Sequence, residues 1–425
     1  MPGMPAAPSL ARRSADPAGR PSGSPGDGIA ILGAGLAGLS LAVRLVEAGV
    51  RAPITLLEPR TGYGDDRTWG FWETEPHPFA HLVAERWPAW RVRTPAAAHI
   101  RRGSVPYVRL PAAAVYRDAL ARLDRAGNVV RRMGVRVTGV AGAQVALDTG
   151  ERLHAGVIYD GRPPEATQIA SGHGRGPRLL QQFVGRRVRT GRPAFEPGVA
   201  DLMDFRVSQR HGIAFLYVLP SGPCEALVEA TVFAGQPVGA EVLDRLLAEG
   251  LAARCRAADT QVTEVLGTER GAIPMVPGLG RTPARAGGTI AIGTRAGAPR
   301  GATGYAYLPI QRHVAVLAAD AAAGRPRGRG MRGAGTDWLD QVFLRRLLRA
   351  PDAGPALLAR LFDRVPADRL VRFLMERGGV RDHLAVMSAL PTLPLLREAL
   401  AASAPHRSRL RPARTAAAGE TAPNP

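Results

Sequence analysis

Ile29-Ala-Ile-Leu32, Gly33-Ala-Gly-Leu-Ala-Gly38, an apolar run with helical spacing from Leu36 to Ala48, and Ile54-Thr-Leu-Leu57-Glu58 form the stretch that decides the fold. A short apolar strand is broken by glycines, a helix follows until Gly49 stops it, and a second strand ends on an acid. The spacing carries the chemistry. Gly33 permits the tight turn, Gly35 lets backbone approach a pyrophosphate, and Gly38 lets helix and strand pack closely. The helix N-terminus then offers free N–H groups and a partial positive charge to phosphates. Glu58, twenty residues past Gly38, stands where a carboxylate accepts a ribose hydroxyl. Strand, turn, helix, strand and acid in this order predict a dinucleotide-binding βαβ unit.

The rest of the chain is read outward from that unit. Its 425 residues suffice for two or three domains, and 45% hydrophobic residues is ordinary for a folded protein. The net charge of +20 comes from 56 cations that are all Arg, scattered with no nucleic-acid motif, so nucleic-acid binding is not expected. Cys224 and Cys255 are too few for a disulfide scaffold or metal site, and the nine histidines show no ligand spacing, with His173 read as loop. No run reaches the ~20 apolar residues of a membrane span. Residues 1–26 and 406–425 read as disordered tails. Pro111 to Ala126 reads as a helix with a basic outer face, and Val135 to Leu147 with Arg152 to Tyr159 as a small meander. Strands follow from Asp201 to Phe233. A second glycine turn, Thr289-Ile-Ala-Ile292 then Gly293-Thr-Arg-Ala-Gly297, precedes a helix from about Ile310, and the chain from 336 to about 402 reads as helical.

Strands interleaved with helices and a late second glycine turn predict an α/β flavoprotein: a Rossmann-type FAD-binding domain, an antiparallel-sheet substrate domain and a C-terminal helical region. The expected boundaries are 27–165 with 272–325 for the FAD-binding domain, 166–271 for the sheet domain and 326–405 for the helical region. Trp69, Phe71 and Trp72 fall within four residues of an aromatic-poor chain, which predicts a pocket or interface lining. On the strand Leu227 to Phe233, Leu227, Glu229, Thr231 and Phe233 share one face, while Val228, Ala230 and Val232 share the other. Glu229 is the polar exception. If buried among aromatics such as Phe215 and Tyr217, it stays protonated near neutrality and can serve as a general acid. The helices around Trp338, Val342, Phe343, Leu347 and Leu348, and around Leu357, Leu361 and Phe362, mix apolar residues with Arg, as a face lying on an anionic bilayer does.

The chain also resembles the bacterial lycopene β-cyclases. The resemblance runs from about Asp27 to Leu400. It rests on Gly33-Ala-Gly-Leu-Ala-Gly38, Arg67-Thr-Trp69, Tyr159-Asp-Gly-Arg162, Gln182-Phe-Val-Gly185, Leu202-Met-Asp204, Phe215-Leu-Tyr-Val-Leu-Pro220 and Leu227-Val-Glu-Ala-Thr231. Gly271-Ala-Ile-Pro274, Gly293-Thr-Arg-Ala-Gly297, Ala302-Thr-Gly-Tyr305 and Met387-Ser-Ala-Leu-Pro391 continue it. The resemblance implies cyclisation of lycopene or a related acyclic carotene to γ- or β-carotene, without net redox change, by a reduced FAD with NAD(P)H as reductant. It implies a peripheral protein on the cytoplasmic side of a bacterial membrane. Its motifs imply cofactor contacts at Gly33, Gly35, Gly38, Glu58, Arg67, Asp160, Gly161, Gly293, Arg295, Gly297, Thr303 and Gly304. Glu229 stands as the proton donor, and Asp204 or the flavin as the base. Two departures stand out: Ala230 occupies the family's second acidic position, which puts a carboxylate pair in doubt, and Trp69-Gly-Phe71-Trp72 replaces the usual Trp, Ser, Phe and His. An FAD-dependent monooxygenase or carotenoid oxidoreductase is the alternative, since it shares the nucleotide unit and late glycine turn.

Overall fold

The computed structural model describes residues 28–164, 176–280 and 289–403. The expected tails, His173 and residues 286–288 lie outside them.

The quoted stretch folds as read. Strand β1 (Ile29–Leu32) leads through the glycines into helix α1 (Leu36–Glu47), and β2 (Ile54–Glu58) lies parallel beside β1. With β6 (Val129–Met133), β10 (Val157–Asp160) and β16 (Thr289–Ala291) they form a parallel sheet ordered β16-β10-β1-β2-β6. Both faces of this sheet are covered, which is why β1 is apolar throughout. Ile29 and Ile31 face the core containing α1, while Ala30 and Leu32 pack with Val145 and Leu147. The latter come from the meander β7 (Val137–Ala141), β8 (Gln144–Leu147) and β9 (Arg152–His154). Helix α2 (Ala112–Asp124) packs on α1.

The second sheet has eight strands and is mostly antiparallel. It takes β3 (Thr68–Trp72), β4 (Glu85–Arg93) and β5 (Ala98–Pro111), then β11 (Leu179–Thr190), β12 (Val199–Asp204), β13 (Ile213–Pro220), β14 (Glu225–Ala234) and β15 (Val262–Met275). The order is β15-β11-β14-β13-β12-β4-β5-β3, with a single parallel pairing, β12 on β4, joining its two halves. The expected sheet segment, 166–271, therefore misses β3, β4 and β5, which arise inside the stretch assigned to the nucleotide domain. They pair locally with one another, and only the β4–β12 pairing, over a hundred residues apart, joins them to the rest of the sheet, beyond the reach of local pattern.

Alternation on β14 sorts its side chains as expected. Val228, Ala230 and Val232 pack on helix α3 (Ala240–Ala257) through Leu243, Leu246, Leu247 and Leu251. Leu227 and Phe233 join the central core on the other side. The chain then forms α4 (Tyr307–Ala322), which packs on α1, and a helical cap: α5 (Ala334–Arg349), α6 (Gly354–Arg364), α7 (Ala367–Leu374), α8 (Val380–Ala389) and α9 (Thr392–Ser403).

Candidate active site

A single cavity of about 1070 Å³ runs from the glycine turn of β1–α1, along the inner face of the second sheet, to helices α8 and α9. Its two ends differ in chemistry.

At the nucleotide end the walls are Gly33, Gly35, Gly38, Glu58, Arg60, Arg67 and Gly161, with Gly293, Thr303 and Gly304 from the second glycine turn. A side chain at Gly38 would place its Cβ 2.0 Å from the Gly33 carbonyl oxygen, so only glycine lets the helix approach the turn this closely. Gly35 caps α1 without a side-chain hydrogen bond, and the first turn carries no acid. The orphan N–H groups of that helix start therefore face the cavity uncompensated, as an anion site requires. Glu58 accepts from the Ala34 N–H at 2.7 Å and from Arg60 Nε at 2.8 Å. Burial opposes ionisation of Glu58, yet the hydrogen bonds and charge of Arg60 and the Ala34 N–H prevail, so its carboxyl titrates below the usual range. Arg60 stacks over Tyr63 at 4.7 Å and Tyr116 at 5.4 Å. The sequence reading missed Arg60; its position two residues after the strand-end acid is the available signal.

Three residues assigned to the cofactor stand behind this wall. Asp160 is buried and binds its own turn, accepting from Arg162 N at 3.1 Å and Arg162 Nη2 at 2.8 Å. Arg295 donates to the carbonyls of Arg162 and Pro163 at 3.1 and 2.9 Å. Gly297 ends the second turn in the left-handed region, φ +80°, packed on Leu279. They shape the two glycine turns, while Gly161, Gly293 and Thr294 reach the cavity.

At the other end the lining is aromatic and apolar: Trp69, Phe183, Phe215, Tyr217, Phe233, Tyr107 and Tyr305 surround Glu229 and Thr231. Tyr217 pairs directly with Glu229 across β13 and β14, and its hydroxyl lies 2.9 Å from that of Tyr107. Trp69, Phe215 and Tyr217 thus stand where the sequence places them. Phe71 and Trp72 do not. Phe71 lies further along β3 from Trp69 and stacks on Tyr307 with centroids 4.3 Å apart. Trp72 alternates to the opposite side and packs edge-on against Trp90 and Tyr107. Both are fully buried supports behind the lining.

Glu229 is buried, and this burial first, then the charge and hydrogen bond of Glu269, push its carboxyl well above the usual carboxylate range. Asp204, the other catalytic candidate, ends β12 outside the cavity. Arg206 holds it through Nε at 2.8 Å and Nη2 at 2.6 Å, which keeps it from serving a reaction at Glu229. The doubt raised by Ala230 is also resolved. Position 230 faces α3, away from the cavity, so an acid there would not join Glu229. The second carboxyl comes instead from Glu269 on β15. Gly185 of β11 pairs with Glu229 on one side and with Glu269 on the other. A glycine within a strand interior is the sequence signal for such an approach.

The cap is fastened to the second glycine turn. Arg300 and Asp340, each 2% exposed, pair at 3.1 Å, and Arg300 also donates to the Phe373 carbonyl at 2.6 Å. Arg332 donates to the carbonyls of Gly297 and Ala298 and pairs with Glu376 at 2.7 Å. On α5 and α6 much of the expected bilayer face is instead core, since Val342, Leu347, Leu357, Leu361 and Phe362 are buried, while Trp338 and Leu348 of α5 stay exposed. A contiguous set of exposed apolar side chains lies on α8 and α9: Val380, Leu384, Met387, Leu393, Leu396 and Leu400. No single helix among the described residues is long and apolar enough to cross a membrane, although the bent pair α8–α9 passes by length and composition.

Residues 28–400 match the lycopene cyclase protein family. A lycopene beta-cyclase of Paracoccus sp. (strain N81106 / MBIC 01143) is 31% identical over 388 residues, covering 86% of this chain and 95% of that protein. The lycopene beta-cyclase of Pantoea ananas is 26% identical over 406 residues, covering 89% and 98%. Among solved structures, a geranylgeranyl bacteriochlorophyll reductase-like protein from Thermoplasma acidophilum superposes with a TM-score of 0.57 at 12% identity, over 87% of this chain and 98% of that one. The flavin-dependent brominase Bmp2 gives 0.51 at 13% identity, over 82% and 92%. At these identities the structural likeness is one of fold.

Proposed function

The chain belongs to the lycopene cyclase family, and from that premise we propose that it closes the end of lycopene, or a related acyclic carotene, into a β-ring to give γ- or β-carotene. The observation that carries this reading is a carboxyl buried in an aromatic chamber continuous with a dinucleotide cradle, where burial and Glu269 push its titration well above the usual range.

Lycopene has no heteroatom to grip, so its binding rests on apolar burial. The chamber supplies Phe183, Phe215 and Phe233 near Glu229, and Leu358, Leu361, Leu374 and Leu390 toward the cap. Glu229 gives its proton to the terminal alkene, the neighbouring double bond closes on the tertiary cation, and loss of a ring proton leaves the β-ring. The faces of Trp69 and Tyr217 attract the developing cation, at about 0.5–2 kcal/mol each. The same lining excludes water, which would trap the cation as an alcohol.

The nucleotide end fits FAD: its helix start lacks an internal anion, Gly38 permits close packing, and Glu58 is held ionised beside it. Gly33, Gly35, Gly38, Glu58, Arg60 and Gly161 would hold the dinucleotide, with Gly293, Thr303 and Gly304 across the cavity. In its reduced form, with NAD(P)H as reductant, FAD would supply negative charge beside the cation.

We also place the protein at the cytoplasmic surface of the membrane. The support is the exposed apolar row on α8 and α9, of which Met387 and Leu396 also line the cavity. The net charge of +20 suits an anionic surface. Such a mouth passes a lipid-dissolved substrate to the chamber without crossing water.

Expression in a lycopene-accumulating bacterium, followed by pigment chromatography and mass measurement, tests the reading. A cyclase yields a product isomeric with lycopene. Unchanged lycopene beside a folded, flavin-bearing protein, or a product of altered mass, overturns it.

A further inference from the structure

We propose that Glu269 is the second carboxyl of the acid site, sharing a hydrogen-bonded proton with Glu229 across the gap left by Gly185 and positioning that proton for transfer. The inference rests on the cyclase reading above for what the proton does, but not for the existence of the pair.

Three observations carry it. Gly185 is the ladder partner of both glutamates, so the three residues form one row across β15, β11 and β14 on the cavity side of the sheet. A Cβ built at Gly185 would lie 2.7 Å from Glu229 Cγ, 3.0 Å from Glu269 Cγ and 3.3 Å from Glu229 Oε1. The two acids therefore fill the space that a side chain at 185 would occupy. Glu269 is also the one buried residue between Val262 and Arg270 on an otherwise open edge strand, and its Oε1 has no fixed hydrogen-bond partner. Folding places it beside Glu229 at the cost of desolvating an acid, which a shared proton offsets.

The cations nearest this row are bound to other acids, and the polar groups facing it are phenols. From β13 comes Tyr217, from β5 Tyr107 behind it, and from the loop before α4 Tyr305; burial raises all three phenols well above their usual range, so they remain neutral. On β11, Arg187 turns to Glu225 at 3.9 Å. On β5, Arg109 is held by Glu85 at 2.5 and 2.9 Å. Arg109 feels the charge of Glu269 but is bound to Glu85, so the shared proton is the direct link between the two carboxyls.

In turnover the Glu229 O–H bond breaks as a C–H bond forms at the CH carbon of the terminal alkene, leaving a carboxylate hydrogen-bonded to its partner and a tertiary cation that the neighbouring double bond captures to form the ring C–C bond. When the ring C–H breaks, its electron pair becomes the ring double bond and its proton returns to the pair. Asp204 being outside the cavity, no other candidate acid from the sequence reaches this chamber. Each cycle ends with the pair as it began.

Because Glu229 must be protonated, activity falls as pH rises through its titration, and the neighbouring acid delays that fall. Glu269→Gln is expected to move the alkaline limb of kcat/KM down by about one pH unit or more, with flavin content and Tm retained. Glu269→Asp restores much of the limb. Gly185→Ala, which wedges the acids apart, shifts it in the same direction as Glu269→Gln. Infrared difference spectra of glutamate-labelled protein read the pair without substrate: the protonated carboxyl band is lost in Glu229→Gln and displaced in Glu269→Gln. A purely structural Glu269 would lower kcat while leaving limb and band in place, and that result overturns the proposal. Should Glu269→Gln fail to fold, the band and limb in Gly185→Ala and Glu269→Asp decide in its stead. Inactivity on lycopene with the paired band intact would refute the cyclase reading and leave the pair standing.

Discussion

Two buried glutamates on the wall of the cavity, Glu58 and Glu229, are held in opposite states. Glu58, 4% exposed, and Glu229, 9% exposed, are similarly withdrawn from water. Glu58 meets an Arg60 guanidinium and a backbone N–H, and stays ionised. Glu229 meets a second acid and a ring of phenols, and stays protonated. Burial alone would raise both. What separates them is the charge of the nearest partner, so the same residue type is held as an anion at one site and as a neutral acid at the other.

The largest effect that sharpens this contrast is expected from Glu229→Gln, which leaves the fold and the flavin in place but removes the donor. Conversion of lycopene should fall by about 10²- to 10⁴-fold, measured by chromatography of reactions with reduced FAD; a wild-type rate would break the assignment. Next comes the clamp that holds the cap over both ends. Asp340→Ala strands the Arg300 charge in a fully buried site and should cost about 3–5 kcal/mol in denaturant unfolding. Gly38→Ala attacks only the nucleotide end: its Cβ collides with backbone, so about 1–3 kcal/mol of stability and most bound flavin should be lost together, visible as bleaching of the purified protein. The smallest effects are on pH. Folded Glu229 binds a proton more tightly than the unfolded chain does, so its contribution fades as pH rises from the ordinary carboxylate range through its raised titration. Glu229→Gln should therefore flatten the alkaline fall in Tm. Glu58 has the reverse sign: its contribution is full above the ordinary range and is lost as pH falls through its lowered titration. Glu58→Gln should flatten the acid limb instead, at a cost of about 1–2 kcal/mol near neutrality. Parallel slopes in the two variants would refute the contrast.

The nucleotide end was legible because its information is local. Gly33, Gly35, Gly38 and Glu58 lie within one βαβ unit, where period and spacing suffice. The face of β14 that carries Glu229 was equally readable from alternation. The acid end was only half readable, since Glu269 lies forty residues from Glu229 and meets it only through the order β15-β11-β14. Tyr107 and Tyr305 reach the chamber through tertiary contacts that no local pattern announces: Tyr107 meets Tyr217 at 2.9 Å, and Tyr305 lies in a loop. Phe71 and Trp72 show the opposite error: aromatic density marks a neighbourhood, but position along β3 and the side of the strand decide between wall and support. Asp204 was suggested by proximity to a shared motif, and an arginine two residues on claims it.

The fastening of the cap has a consequence for how a long, symmetric molecule is handled. With Arg300 and Arg332 tying the helices to the second glycine turn, the chamber is a sleeve rather than a jaw, and among the described residues only one end of it carries the acid row. A polyene with two identical termini presents one terminus per insertion. On the cyclase reading proposed above, forming a second ring would require withdrawal, reversal and re-insertion, so the proportion of singly to doubly closed product would become a contest between re-threading and escape. Processivity would be set at the mouth, by Met387 and Leu396, and not by the chemistry at Glu229.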